Sequence, residues 1–220
     1  MSVNKEVLNK QQQHWESIYT ENLEMFGAVP SEAAHKAVEI LAKEGAVKIL
    51  ELGGGQGRDT SFFAHKGYHI SVLDYSSVAI RAITNKVQSL GLSDSVSPMQ
   101  HDAREKLPFD DGTFDACFSH MFFNMALTAK EQEFIHAEIM RVIKPNALNI
   151  YTSRNNFDPQ YGEGIHVGED IFNVNGIAIH FLSEERINLL AKNYVVERLE
   201  RLEETDLPKR LFFVVVRKSG

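Results

Sequence analysis

Val47-Lys48-Ile49-Leu50-Glu51-Leu52-Gly53-Gly54-Gly55-Gln56-Gly57-Arg58-Asp59-Thr60 is a short apolar run that ends in an acid and then carries four glycines in five positions. An apolar run of this length that stops at glycines predicts a buried strand. Ser61, Phe62, Phe63 and Ala64 follow without a breaker, so a helix is expected from about Gly57. Glycine admits positive φ and lets a ligand approach the main chain closely. The helix start adds unpaired N–H groups and a positive dipole end. Strand, glycine turn and helix together predict a nucleotide-like pocket at the carboxyl end of the strand.

The spacing narrows the ligand. A dinucleotide fingerprint G-x-G-x-x-G counted from Gly53 would need its third glycine at position 58, where Arg58 stands. A phosphate-gripping G-x-x-x-x-G-K-[ST] loop is absent. The pattern present is E-x-G-x-G-x-G, from Glu51 through Gly53, Gly55 and Gly57.

Working outward, Pro30-Ser31 marks a helix start with Ser31 as N-cap, and Gly45 its end, with Ala34, Ala37, Val38 and Leu41 on the apolar face. Upstream, Trp15 and Tyr19 are four apart and share a face if their segment is helical. They either cover the pocket as a flap or dock an amphipathic helix onto the body. Downstream, Tyr68 to Asp74 reads as a second strand ending in an acid, 21 residues after Gly53. That is the distance at which such folds place a ribose-binding carboxylate. Asp74 is equally placed to open the helix expected over 76–90, before Gly91. Val96 to His101 predicts a third strand and Phe114 to Ser119 a fourth, led by Leu107-Pro108-Phe109-Asp110-Asp111-Gly112-Thr113-Phe114-Asp115. Thr128 caps a helix to about Val142, with Phe134, Ile135, Ile139 and Val142 expected on its buried side. Arg141-Val142-Ile143-Lys144-Pro145 leads to a fifth strand, Leu148 to Ser153, through Asn146, which tolerates a left-handed turn.

On the loop, the L-P-F-x-D-x-x-F-D stretch and the R-V-I-K-P stretch, the chain from about Ala46 to Lys218 resembles the class I S-adenosylmethionine (SAM) methyltransferases. The Gly57-Arg58-Asp59-Thr60 continuation is similar to small-molecule members, loosely the tellurite-resistance branch. The chain departs from the family's R-V-L-K-P by Ile143, and from its following two glycines by Asn146-Ala147. The resemblance implies an α/β fold, a doubly wound, seven-stranded, mostly parallel Rossmann-like sheet with an antiparallel C-terminal hairpin. It implies SAM as cofactor, held by Glu51, Gly53, Gly55, Gly57, Asp74, Tyr75, Asp102, Ala103 and Ser119. Within that set an acid at Asp102 meets the adenine amino group and the next backbone N–H meets the ring; the other reading of Asp102 is a loop acid capping the turn at Arg104. The chemistry implied is in-line methyl transfer to a small acceptor, with release of S-adenosylhomocysteine.

Residues past strand ends line the crevice of open parallel sheets. His120 is therefore a candidate proton acceptor at the methyl-transfer site, or a structural histidine bonded to backbone. Candidate acceptor contacts are Tyr19, Met121, Phe122, Arg154, Tyr161 and His166. Residues 154–181 show no clear period and are expected to form a substrate lid, or an insert hairpin with solvated charges. His166 and Glu169 are the one tempting metal pair, but no H-E-x-x-H motif accompanies them and no metal is expected. Ser183 caps a helix to about Lys192, with Ile187, Leu189 and Leu190 apolar. Tyr194 to Arg201 and Leu211 to Arg217 then read as antiparallel strands about a turn at 203–208.

The expected organisation is an N-terminal helical cap over 1–45 and a SAM-binding domain over 46–220 with an insert at 154–181. The 220 residues carry 30 acids against 23 Lys plus Arg, a net charge of −7 that argues against a nucleic-acid partner. The lone Cys117 excludes an intramolecular disulfide and a cysteine-rich zinc site. No apolar stretch reaches bilayer length and the amino terminus is polar, so a cytoplasmic protein without membrane contact is expected. The oligomeric state stays open. Two rivals stand beside the enzyme: a SAM-binding regulatory module, and a nicotinamide-dependent reductase. The second fails on the glycine spacing, and none of the six tyrosines has a lysine four residues on.

Overall fold

The computed structural model describes residues 3–204 and 208–219. Two short helices, α1 (Lys5–Asn9) and α2 (Gln11–Glu21), precede α3 (Glu32–Glu44). The Ser31 side chain accepts from the Ala34 N–H at the start of α3, and Gly45 closes it in the left-handed conformation at φ 63°. Then come β1 (Lys48–Leu52), α4 (Arg58–His65), β2 (His69–Asp74), α5 (Ser77–Ser89), β3 (Val96–Gln100) and β4 (Phe114–Ser119). They are followed by α6 (Ala129–Val142), β5 (Ile143–Arg154), β6 (Ile165–Gly168), β7 (Ile171–Val174), β8 (Ile177–His180), α7 (Glu184–Leu190), β9 (Tyr194–Glu204) and β10 (Lys209–Lys218).

Seven strands form one sheet in the order β3-β2-β1-β4-β5-β10-β9. Neighbours from β3 to β5 are parallel, and β10 runs antiparallel to both β5 and β9. The strand order turns back at β1/β4, the switch point that opens a crevice at the carboxyl ends of these strands. Pro98 fits inside β3 because β3 is an edge strand, where a missing N–H costs no ladder bond.

Alternation along the strands feeds two apolar layers. Ile49, Ile70, Val72, Phe118, Ile150, Phe213 and Val215 pack under α3, α4 and α5. Leu50, Leu52, Cys117, Tyr151, Phe212 and Val214 pack under α6 and α7. On α6 the buried side is Gln132, Ile135, His136, Ile139 and Val142. Phe134 is 42% exposed, which corrects its expected burial. It stands one position, about 100° of helix, before Ile135 and so falls outside the stripe set by Ile135, Ile139 and Val142.

β5 starts five residues earlier than the expected Leu148, and Asn146 takes the left-handed conformation at φ 62° within it. The expected turn at 203–208 is in part outside the described residues, since β9 runs to Glu204 and 205–207 are not described. The larger correction concerns 154–181. The segment contains a separate three-stranded antiparallel sheet, β6-β7-β8. Val167, Ile171 and Ala178 of that sheet pack against Leu8 of α1. Gln11 of α2 clamps it: its Nε2 donates to the Gly176 carbonyl (3.0 Å) and its Oε1 accepts from the Ala178 N–H (3.1 Å). The Asn4 N–H donates to the Val167 carbonyl (3.1 Å). Two segments far apart in sequence therefore make one roof. No helix among the described residues is long and apolar enough to cross a membrane.

Candidate active site

A cavity of about 300 Å³ lies between the strand ends and this roof. The glycine loop forms its floor. Gly53, Gly55 and Gly57 all have positive φ. A Cβ at Gly53 would lie 2.9 Å from Phe122, and one at Gly55 would lie 3.4 Å from the Tyr19 hydroxyl. Side chains here would therefore fill the cradle. Gly54 packs the other way, where a Cβ would overlap Val72 beneath the loop.

Asp74, at the end of β2, is buried and lines the cavity. Its Oδ2 accepts from the Gly55 N–H and its Oδ1 from the Ser76 N–H, each at 2.9 Å. It thus holds the glycine loop in place with part of its acceptor capacity left over. Burial pushes its pKa from 3.8 to about 6, against those two N–H donors. Glu51, also buried, accepts from the Thr60 hydroxyl at 2.6 Å. Burial raises it to about 8, with the Thr60 bond opposing and the charges of Asp59 and Asp74 adding. Asp102 accepts the Arg104 N–H (3.0 Å) and the Arg104 guanidinium (2.6 Å), the turn-capping geometry, while still lining the cavity with Ala103 and Tyr75.

At the β4 end, His120 lines the cavity and its Nδ1 is 2.9 Å from the Thr152 hydroxyl oxygen. That oxygen also accepts the Met121 N–H at 2.9 Å, so Thr152 ties the His120 ring to the start of the 121–127 loop. Nε2 faces Glu204 Oε1 at 3.2 Å, close enough for an ion pair but without the alignment of a hydrogen bond. Beside it, burial alone would raise Asp59, but His120, the Arg58 guanidinium and two donors from Ser31 outweigh it and hold the carboxyl low.

The structure brings Tyr19, Met121, Phe122 and Arg154 to the cavity together with the cofactor candidates Glu51, Gly53, Gly55, Asp74, Tyr75, Asp102 and Ala103. Trp15 and Tyr19 satisfy both readings of their segment, being buried and facing the cavity. Gly57 lies behind the loop against Ile83, and Ser119 is buried below it. Tyr161 and His166 stand outside the lining. The Tyr161 hydroxyl donates to Asp170 at 2.9 Å, and His166 Nε2 sits 2.6 Å from the Glu169 carbonyl. The Glu169 carboxylate instead caps α6 at the Ala129 N–H (2.8 Å). Among the described residues no three metal-ligating side chains gather. Sequence reasoning missed Gln11, Met25, Phe26, Ile177, Ile179 and Lys209. These reach the cavity through tertiary placement, and only the helical spacing of Gln11 with Trp15 was a usable signal.

Residues 49–146 match the family described as a methyltransferase domain. No curated protein matches the chain significantly. Among solved structures, a SAM-dependent methyltransferase from Methanosarcina mazei is 22% identical with a TM-score of 0.71, covering 83% of this chain and 97% of that one. The 1,6-didemethyltoxoflavin-N1-methyltransferase of Burkholderia thailandensis, with bound 1,6-didemethyltoxoflavin and S-adenosylhomocysteine, is 14% identical with a TM-score of 0.76, covering 100% and 92%. The [4+2]-cyclase SpnF is 16% identical with a TM-score of 0.73, covering 96% and 97%.

Proposed function

We propose that the chain is a class I SAM-dependent methyltransferase with SAM as its cofactor, and that it methylates a small acceptor enclosed beneath the roof of α1, α2 and β6–β8. The observation that carries this is the cavity itself, floored by glycines whose side chains would block it and closed opposite by Trp15, Tyr19, Ile177 and Ile179. A polymer would need an open, basic groove; this cavity is roofed and the chain has a net charge of −7.

The residues fit the cofactor. Asp74 has acceptor capacity left for ribose hydroxyls and the Gly53–Gly55 backbone permits close approach; the Asp102 carboxylate is held by Arg104, so its adenine contact would use only the acceptor capacity that pair leaves, beside Ala103. Glu51 acts at one remove, fixing the start of α4 through Thr60. When bound, SAM supplies an activated methyl group with a neutral leaving group. The protein's task is then to orient the acceptor and exclude water. His120 is the candidate proton acceptor for a hydroxyl or amine acceptor, with Glu204, 3.2 Å from its Nε2, placed to steady the imidazolium. Of the expected acceptor contacts, Tyr19, Met121, Phe122 and Arg154 are retained.

A panel of phenols, amines, thiols and carboxylic acids, assayed for S-adenosylhomocysteine release, tests the reading. Turnover on at least one small acceptor is expected. Methylation of bulk RNA or protein with none on small acceptors would sink it.

A further inference from the structure

On the sheet face that packs under α3–α5, the strand rows are apolar until they reach the cavity, and there they turn polar. The register sets Ile150 opposite Val215, Thr152 opposite Phe213 and Arg154 opposite Leu211. It sets Leu202 opposite Leu211 and Glu204 opposite Lys209. Residues opposite one another share a face. Thr152, Arg154, Glu204 and Lys209 thus end one buried face, and His120 joins them through Thr152. Lys209 heads a row that continues as Leu211, Phe213 and Val215, all fully buried. A lysine there is misplaced for a core and well placed for a ligand.

The other charges in this cluster are committed. The Arg154 guanidinium is held by Asp158, whose carboxylate also accepts the Gln160 and Arg210 N–H groups at 2.9 Å each. Glu204 faces His120, and Asp59 holds Ser31 and Arg58. Lys209 is half-buried in the cavity wall and makes no ion pair with any described residue. Burial first, and Arg154 second, press its pKa down against Glu204 and Asp158. A second donor lines the same cavity. Asn124 is fully buried in the lining; its Oδ1 accepts the Arg154 N–H at 3.2 Å, and its Nδ2 has no partner among the described residues.

We propose that Lys209 and Asn124 Nδ2 receive a carboxylate, so that the methyl acceptor is a small carboxylic acid held by its anionic end. The proposal deepens the methyltransferase reading above and rests on it. A charge-assisted pair in this setting is about twice as strong as a neutral one, and it gives the half-buried cation an ion-pair partner that it lacks among the described residues. An anionic acceptor also offsets the positive sulfonium. SAM has a carboxylate of its own, but Lys209 opens β10, three strand positions from the glycine loop on β1, with β4 and β5 between.

The test uses the full-length protein loaded with S-adenosylhomocysteine. Calorimetry measures binding of glycolate, phenylacetate and 4-hydroxybenzoate, each against its primary amide. At least one acid is expected to bind about tenfold tighter than its amide. Lys209→Met should abolish that preference while leaving S-adenosylhomocysteine affinity within about twofold, and Lys209→Arg should retain it. Acids and amides binding alike, no acid binding at millimolar concentration, or an unchanged preference in Lys209→Met would each overturn the proposal. A large loss of S-adenosylhomocysteine affinity in Lys209→Met would instead give Lys209 to the cofactor's carboxylate. Failure of the wild type to bind S-adenosylhomocysteine at all would count against the methyltransferase reading, a separable result.

Discussion

Glu51 and Asp74 bracket the glycine loop with buried carboxyls whose proton affinity is raised by the fold, burial being the first cause in both. A raised acid contributes stability that is complete below its ordinary pKa and is lost as pH rises through the folded value. For Glu51 that window runs from 4.5 to about 8. The melting temperature of the wild type should therefore fall between about pH 5 and pH 8, by an amount of order a few kcal/mol in free energy, and Glu51→Gln should flatten the fall. An undiminished slope in that variant would show that the loss comes from elsewhere. For Asp74 the consequence is in binding. Its protonated fraction grows as pH drops through about 6, so S-adenosylhomocysteine affinity should weaken there. Asp74→Ala should cost about 1.5–3 kcal/mol of that affinity by calorimetry, and unchanged binding would reduce Asp74 to a support for Gly55 and Ser76. Gly54 answers to packing instead of ligand. Gly54→Ala forces a methyl into Val72 and should destabilise the fold by about 1–3 kcal/mol in chemical denaturation, with wild-type stability refuting the close approach.

At the level of elements, the roof is the part with the least independent support. β6, β7 and β8 have four residues each, and Gln11 is the side chain that joins them to α2 from both ends of its amide. Gln11→Ala removes two buried hydrogen bonds and should loosen the contact by about 1–3 kcal/mol. Amide hydrogen exchange should then speed up across 165–180 and across α2 while β1 and β4 stay protected. Equal protection in the variant would mean that the apolar contacts of Leu8, Val167 and Ile171 hold the roof unaided. The same elements mark the boundary of what the sequence made legible. The β1 loop, Asp74 and the Thr128 cap were readable because local rules decide them: glycine at positive φ, an acid at a strand end, a hydroxyl before a helix. The small sheet was not, because four-residue strands broken at Gly168 and Gly176 leave too few alternations to count. Tyr161 and His166 were sensible residue types in a segment whose path could not be traced, and they fall on its outer side. Lys209 was hidden within a strand tail.

Across the whole molecule, ligand and stability are linked. S-adenosylhomocysteine at about a hundred times its Kd should add about 2.7 kcal/mol to the folded state, visible as a raised melting temperature, and NAD at the same concentration should add nothing. The opposite pattern would refute the cofactor. The architecture was predictable from the order of its parts, since strands alternating with helices and a closing hairpin admit few right-handed arrangements. What that order could not reveal is a closure between distant parts of the chain. Gln11 and Ala178 are 167 residues apart. At a synthesis rate of about 5–20 residues per second, α2 emerges from the ribosome roughly 8–33 s before its partner exists. For that interval Trp15 and Tyr19 can rest on Ala79 of α5, but the Gln11 edge of α2 has no strand to hold, so the chamber stays open on that side until the last of the small sheet is made.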